Sequence, residues 1–298
     1  MGNKTKIEWA DSTWSPWRGC RRVSPGCDNC YITSTAPFRV TGQKHGAKRV
    51  RASEALLNAP LGWNKKPWVC DLCGSATEGI GESGNCLECG QASDVHRRRV
   101  FSLSLGDWLD EEVPIQWLAD MLDTIERCPT LDFLLLTKRP ENWRLRISRV
   151  AHDFNRDYDL ADEWYDGKPP PNIWLGVSVE NQKEDHRIEE LLKIPAKVHF
   201  LSCEPLLESV NLIPWLDVDA RTGCADDGPF NTIDWCIVGG ESGPNARPMN
   251  PDWARSLRDQ CQAAGVAFFM KQMGGTRKPF PEIPDEIMIR QFPEVQHA

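Results

Sequence analysis

From residue 99 onward the chain repeats one rhythm: a short apolar run closing on polar residues, then a stretch with helical spacing. The apolar runs fall at 99–107, 132–139, 172–181, 198–205, 235–243 and 266–272, and the helical patterns at 115–125, 143–150, 185–192 and 252–264. Buried strands alternating with amphipathic helices call for a parallel sheet with crossover helices. Six strands, with a seventh before Cys20, predict an α/β fold: a full or partial (β/α) TIM-type barrel of parallel strands. A doubly wound open sheet is the alternative. In a barrel, function gathers at the C-terminal ends of strands. Here those ends carry Asp107, Lys138 and Arg139, Ser178 and Glu180, Glu204, Glu241 and Lys271, polar residues that packing does not explain.

The 12 cysteines fall into two organised groups and a scatter. Cys70, Cys73, Cys86 and Cys89 form two Cys-x-x-Cys-Gly turns, the ligand set of a tetrahedral ion. The polar, glycine-rich segment between them has no core of its own, so metal would supply its folding energy. A small zinc ribbon at 67–97 is expected, inserted between 1–66 and 98–298 of the barrel domain. Iron in the same ligands, as a mononuclear site or a second cluster, is the alternative. Cys20, Cys27 and Cys30 differ, for they are three thiols in one loop broken by Gly19, Pro25 and Gly26. Three ligands leave a cluster with one open iron; a zinc site completed by a distant group such as His45 is the alternative. Cys128, Cys203, Cys224, Cys236 and Cys261 read as small buried residues.

A net charge of −8 argues against a bulk electrostatic grip on nucleic acid or membrane. Local basic runs remain: Lys44, His45, Lys48, Arg49 and Arg51; Arg97 to Arg99; and Arg21 with Arg22. No apolar stretch has the length to span a bilayer and no signal segment precedes the first strand, which predicts a cytosolic chain whose thiols stay reduced. Trp9, Trp14 and Trp17 could wall a cofactor pocket or pack a core. Residues 153–171 and 217–231 look like loop insertions.

Several blocks together resemble a phage- and bacterium-borne family of radical-SAM-like proteins without an assigned reaction. They are Ile7 to Cys20, Val23 to Tyr31, Leu136-Thr-Lys-Arg-Pro140, Trp174 to Glu180, Phe200-Leu-Ser-Cys-Glu-Pro-Leu206 and Ile237-Val-Gly-Gly-Glu-Ser-Gly-Pro244. The resemblance covers most of the chain, with the ribbon as an insertion. It implies a partial barrel, a [4Fe–4S] cluster on Cys20, Cys27 and Cys30, and S-adenosylmethionine on the open iron. Reductive cleavage to methionine and a 5′-deoxyadenosyl radical would follow. The loop departs from the common radical-SAM pattern, with six residues rather than three between its first two cysteines and Asn29 rather than an aromatic before the third.

By the same resemblance, Gly106 and Asp107 would receive the methionine ammonium and Lys138 or Arg139 its carboxylate. Ser178 or Glu180 would take the ribose, and Glu204, Glu241 and Lys271 would face substrate. The expected function is a radical S-adenosylmethionine enzyme in a cytoplasm (a host's, if phage-encoded), with Zn2+ in the ribbon and an external electron donor. Its substrate would be a nucleic acid, a nucleobase or nucleotide, with a small metabolite or a peptide as the alternatives. The alternatives are a non-catalytic zinc-stabilised module that binds nucleic acid or protein, and an iron–sulfur electron-transfer protein.

Overall fold

A computed structural model describes residues 4–34, 45–81, 83–153, 159–216 and 232–295. Seven strands form one parallel sheet: β1 (Ser12–Trp14), β2 (Arg99–Ser102), β3 (Asp132–Thr137), β4 (Ile173–Ser178), β5 (Val198–Cys203), β6 (Trp235–Gly239) and β7 (Ala267–Gln272). Their order across the sheet is their order along the chain. A doubly wound sheet reverses its strand order at a switch point; this one never does. The sheet is a curled half-barrel, open between β1 and β7 among the described residues. The C-terminal segment shields the β7 edge, where Met270 N–H donates to Ile289 at 2.8 Å and Gln291 N–H to Phe268 at 2.9 Å.

Strand alternation sorts the core into two layers. Outward residues such as Phe133, Leu175, Leu201, Val238 and Phe268 pack beneath the helices. These are α1 (Ile115–Glu126), α2 (Trp143–Asp153), α3 (Asp159–Tyr165), α4 (His186–Leu192) and α5 (Pro251–Ala263). Helix α3 lies inside 153–171, so that segment is not the plain loop expected: Ala161 and Trp164 turn inward, and Trp164 stacks on Trp108. Residues 217–231, with Cys224, lie outside the described residues, as does Lys44.

Inward residues Trp9, Phe101, Leu134, Trp174, Phe200, Trp235, Ile237 and Phe269 plug the barrel with rings. Gly176 makes room for that plug, because a Cβ there would stand 2.4 Å from the Phe200 ring. Gly176→Ala should therefore cost about 1–3 kcal/mol through overpacking. The check is a lower Tm, restored when Phe200→Leu is added.

A second, antiparallel sheet comprises Trp68–Cys70 between Ala76–Thr77 and Val95–Arg97. It rises between β1 and β2 in the chain, where the sequence places the ribbon. His96 joins it to the barrel, with Nδ1 2.6 Å from Asp71 and Nε2 3.1 Å from Asp11.

Candidate functional site

A cavity of about 370 Å³ opens at the C-terminal end of the half-barrel. Its floor is apolar, with Trp9, Phe101, Leu103 and Leu136, and the cysteine loop forms one wall. Cys20, Cys27, Cys30, Gly106, Asp107, Lys138, Arg139, Ser178, Glu204, Glu241 and Lys271 all line it. Nearly every strand-end residue singled out in the sequence thus converges on one space. Of the three early tryptophans only Trp9 is among the lining residues; Trp14 and Trp17 belong to the outer layer. Lining the cavity does not make each residue free to bind, because several are already engaged.

Asp107 is saturated. Its Oδ1 accepts from Thr137 Oγ1 at 2.7 Å and Leu109 N–H at 3.0 Å, and its Oδ2 from Lys138 N–H at 3.0 Å and Arg139 at 2.8 Å. Arg139 in turn donates to the Arg21 carbonyl at 3.0 Å and points a second nitrogen at Cys20 Sγ, 3.9 Å away. Burial works against the Arg139 charge, but Asp107 and Cys20 beside it more than offset that, so the guanidinium stays charged. Together they brace the start of the cysteine loop.

Glu180 braces its middle. It does not line the cavity; it is fully buried beneath the loop. Its carboxylate accepts from Gly26 N–H at 3.2 Å and from the Ser24 hydroxyl, and is paired with Lys138 at 3.2 Å and Arg187 at 2.9 Å. Gly26 permits that approach, since a Cβ there would meet Glu180 Oε1 at 2.6 Å. Burial pushes the Glu180 carboxyl up, but Lys138, Arg187 and the Ser24 hydroxyl prevail and hold it below its ordinary value.

Glu241 braces the end of the loop. Asn29 Nδ2 donates to it at 3.0 Å, and Arg247 donates through N–H at 2.8 Å and Nε at 2.9 Å. Arg247 reaches on to the Pro25 carbonyl at 2.8 Å. Asn29, just before the third cysteine, thus carries an amide that ties the loop to Glu241, two residues past the end of β6. Sequence reasoning missed Ser24, Asn29, Arg187 and Arg247. Their signal lay in polar residues flanking the motif blocks, with no spacing rule linking positions so far apart.

Glu204 and Lys271 form an ion pair across the cavity wall, each about one-fifth exposed. Among the lining residues they are the acid–base pair not engaged in holding the loop.

Two of the three loop thiols, Cys20 and Cys30, resist ionisation. Burial and Asp107 push Cys20 up to about 12 against the opposing pull of Arg139, and burial pushes Cys30 up. A trio of thiolates here requires a cation between them. Among the described residues, the only group of three or more ligand atoms lying within 4.8 Å of one another is Cys70, Cys73, Cys86 and Cys89. Four sulfurs on one zinc stand about 3.8 Å apart, given Zn–S bonds of about 2.3 Å, so that group fits a single ion. The three loop cysteines do not form such a group. Within the four, the Cys73 N–H and Ser93 hydroxyl lower Cys70 to about 6.

The basic runs are mostly engaged inside the protein. Arg97 donates to the Thr130 carbonyl at 3.1 Å, Arg98 is buried against Trp63, and Arg99 lies 3.7 Å over the Phe292 ring. Arg49 is buried on Asp110 at 2.7 Å, and Arg51 pairs with Asp120. The arginines beside the ribbon therefore sit along its seam with the barrel. Among the described residues no helix is long and apolar enough to cross a membrane.

The chain belongs to a family described as a protein of unknown function (DUF5131), whose profile matches residues 4–291. Neither the comparison with curated proteins nor that with solved structures found a match.

Proposed function

We propose that this protein is a radical S-adenosylmethionine enzyme whose [4Fe–4S] cluster sits on Cys20, Cys27 and Cys30, with zinc in the four-cysteine module. One observation carries the proposal: a three-thiol loop forms the wall of a cavity at the C-terminal mouth of a parallel half-barrel. Bound S-adenosylmethionine would supply the chemistry, a 5′-deoxyadenosyl radical released on one-electron reduction.

The chain's own residues do the rest. Arg139 with Asp107, Glu180 with Lys138, and Glu241 with Asn29 and Arg247 fix the loop at three points. The buried ring cluster closes the cavity on its barrel side. Ser178 and Lys138 face the cavity as groups able to orient a polar cofactor. Lys271 and Glu204, on the wall, would orient substrate, with Lys271 Nζ donating to Glu204 Oε1. Electrons must come from an external donor.

Protein reconstituted anaerobically, reduced with dithionite and mixed with S-adenosylmethionine should release 5′-deoxyadenosine. Fully cluster-loaded protein that yields none would overturn the enzyme reading and leave an electron-transfer protein.

A second reading has one observation behind it. His45 lines the same cavity, and its two ring nitrogens are shielded from solvent without a hydrogen bond of standard geometry. Burial and Arg22 hold its pKa below the ordinary value, leaving it neutral and able to ligate. His45 closing the loop site would leave no open position. His45→Ala separates the two: the open-cluster enzyme keeps its iron, while a His45-closed site loses metal.

A further inference from the structure

The four-cysteine module carries a surface that neither its own fold nor the barrel uses. Most large apolar side chains of this protein are buried, yet Leu72 is 64 % exposed, Leu87 58 % and Ile80 41 %. Both leucines sit inside the Cys-x-x-Cys turns, so both flank the sulfur centre. Leu87 also lies over Gly81, where a Cβ would come 3.3 Å from its Cδ2, and Ile80 bridges to Cys86. Leu87 and Ile80 thus lie together beside Cys86, and Leu72 is exposed on the other turn of the same sulfur centre. Exposed apolar side chains grouped on a metal-pinned scaffold mark an interaction site.

Charge decides what fits it. Between Pro67 and His96 the module holds Asp71, Glu78, Glu82, Glu88 and Asp94 and not one lysine or arginine. A tetrathiolate zinc centre adds further negative charge, since four thiolates outweigh one dication. Asp71, Glu78, Glu88 and Asp94 are exposed on the module, although His96 and Lys66 answer Asp71 and Glu88. Phosphate backbones are repelled by such an acidic surface. A second copy of the chain is a poor occupant too, because its net charge is −8 and its arginine runs are engaged internally.

We propose that the four-cysteine module is a docking surface for a basic protein segment, with apolar residues covering Leu72, Ile80 and Leu87 and lysines or arginines facing the module's carboxylates. Apolar cover supplies the affinity, while the carboxylates supply orientation and on-rate.

The test uses the full chain, zinc-loaded, with fluorescent peptides as probes: an amphipathic Leu/Lys peptide, its Leu/Glu counterpart and a single-stranded oligonucleotide. The Leu/Lys peptide should bind, and L72S/L87S should weaken it about tenfold or more. Glu78→Lys with Asp94→Lys should weaken it and flatten its salt dependence. Zinc content and melting temperature, measured for each variant, should match the parent, since none of these side chains is buried or a ligand. Peptide binding unmoved by L72S/L87S would overturn the proposal. So would equal binding of the Leu/Glu peptide, oligonucleotide binding lost in the same variant, or dimerisation abolished by it.

Discussion

Cys27→Ala protein, purified without oxygen, should be colourless and near iron-free while keeping one zinc per chain, and should release no 5′-deoxyadenosine. The expected loss is essentially complete because the loop offers three cysteines and no fourth. Three sulfurs already leave a cluster one protein ligand short, and removing the buried Cys27 leaves two. Solvent cannot supply a substitute thiolate. Cys86→Ala should do the reverse, for that sulfur belongs to the four-membered group whose ligand atoms lie within 4.8 Å. Zinc should be lost and the short sheet around Trp68–Cys70 should loosen, while the brown colour persists. Iron and zinc measured side by side in both variants give the outcome. Full iron in Cys27→Ala would end the ligand assignment, and loss of both metals in either variant would mean the two sites are not separate devices.

How much of this site could be read from sequence depends on the kind of signal. Strand ends were legible because periodicity fixes where a buried strand stops, and the barrel rule says which end matters. That is why Glu204, Glu241 and Lys271, far apart in sequence, fall on one cavity. The four-cysteine module was legible because ligand spacing is dictated by one small ion. What spacing could not reveal is which carboxylates are already satisfied. Asp107 and Glu180 read like binding groups, yet each is surrounded by donors of this chain. The arginines at 97–99 read only as a local basic run, because spacing along the chain does not reveal the neighbours, Thr130, Trp63 and Phe292, that they contact in the fold. The helix within 153–171 was hidden by its flanking polar and proline residues; the burial of Ala161 and Trp164 that stabilises it comes from tertiary packing.

The engagement of Glu180 leads to the second large effect. Glu180→Gln keeps the shape of the side chain but removes a buried negative charge held between Lys138 and Arg187. Breaking one side of such a buried arrangement costs about 3–5 kcal/mol, because the remaining cations lose their partner. The amide also cannot accept from the Ser24 hydroxyl and Gly26 N–H while facing two cations, so the cysteine loop loses its middle anchor. The variant should melt lower and release iron faster to a chelator, with zinc unaffected. The pH dependence gives a signature that simple misfolding would not. The folded-state pKa of Glu180 lies below the ordinary carboxylate value of 4.5. Its stabilisation is therefore complete above that value and fades as pH falls through the folded pKa, where the protonated form ceases to balance Lys138 and Arg187. In the parent protein, cluster retention and stability should drop together in this acid window, with Glu241, held low by Arg247 against its burial, adding to the same slope. Glu180→Gln should start lower and show a shallower acid slope, by the share of one carboxylate. A variant with unchanged iron release and an unchanged slope would mean that the loop is held by Arg139 and Glu241 alone.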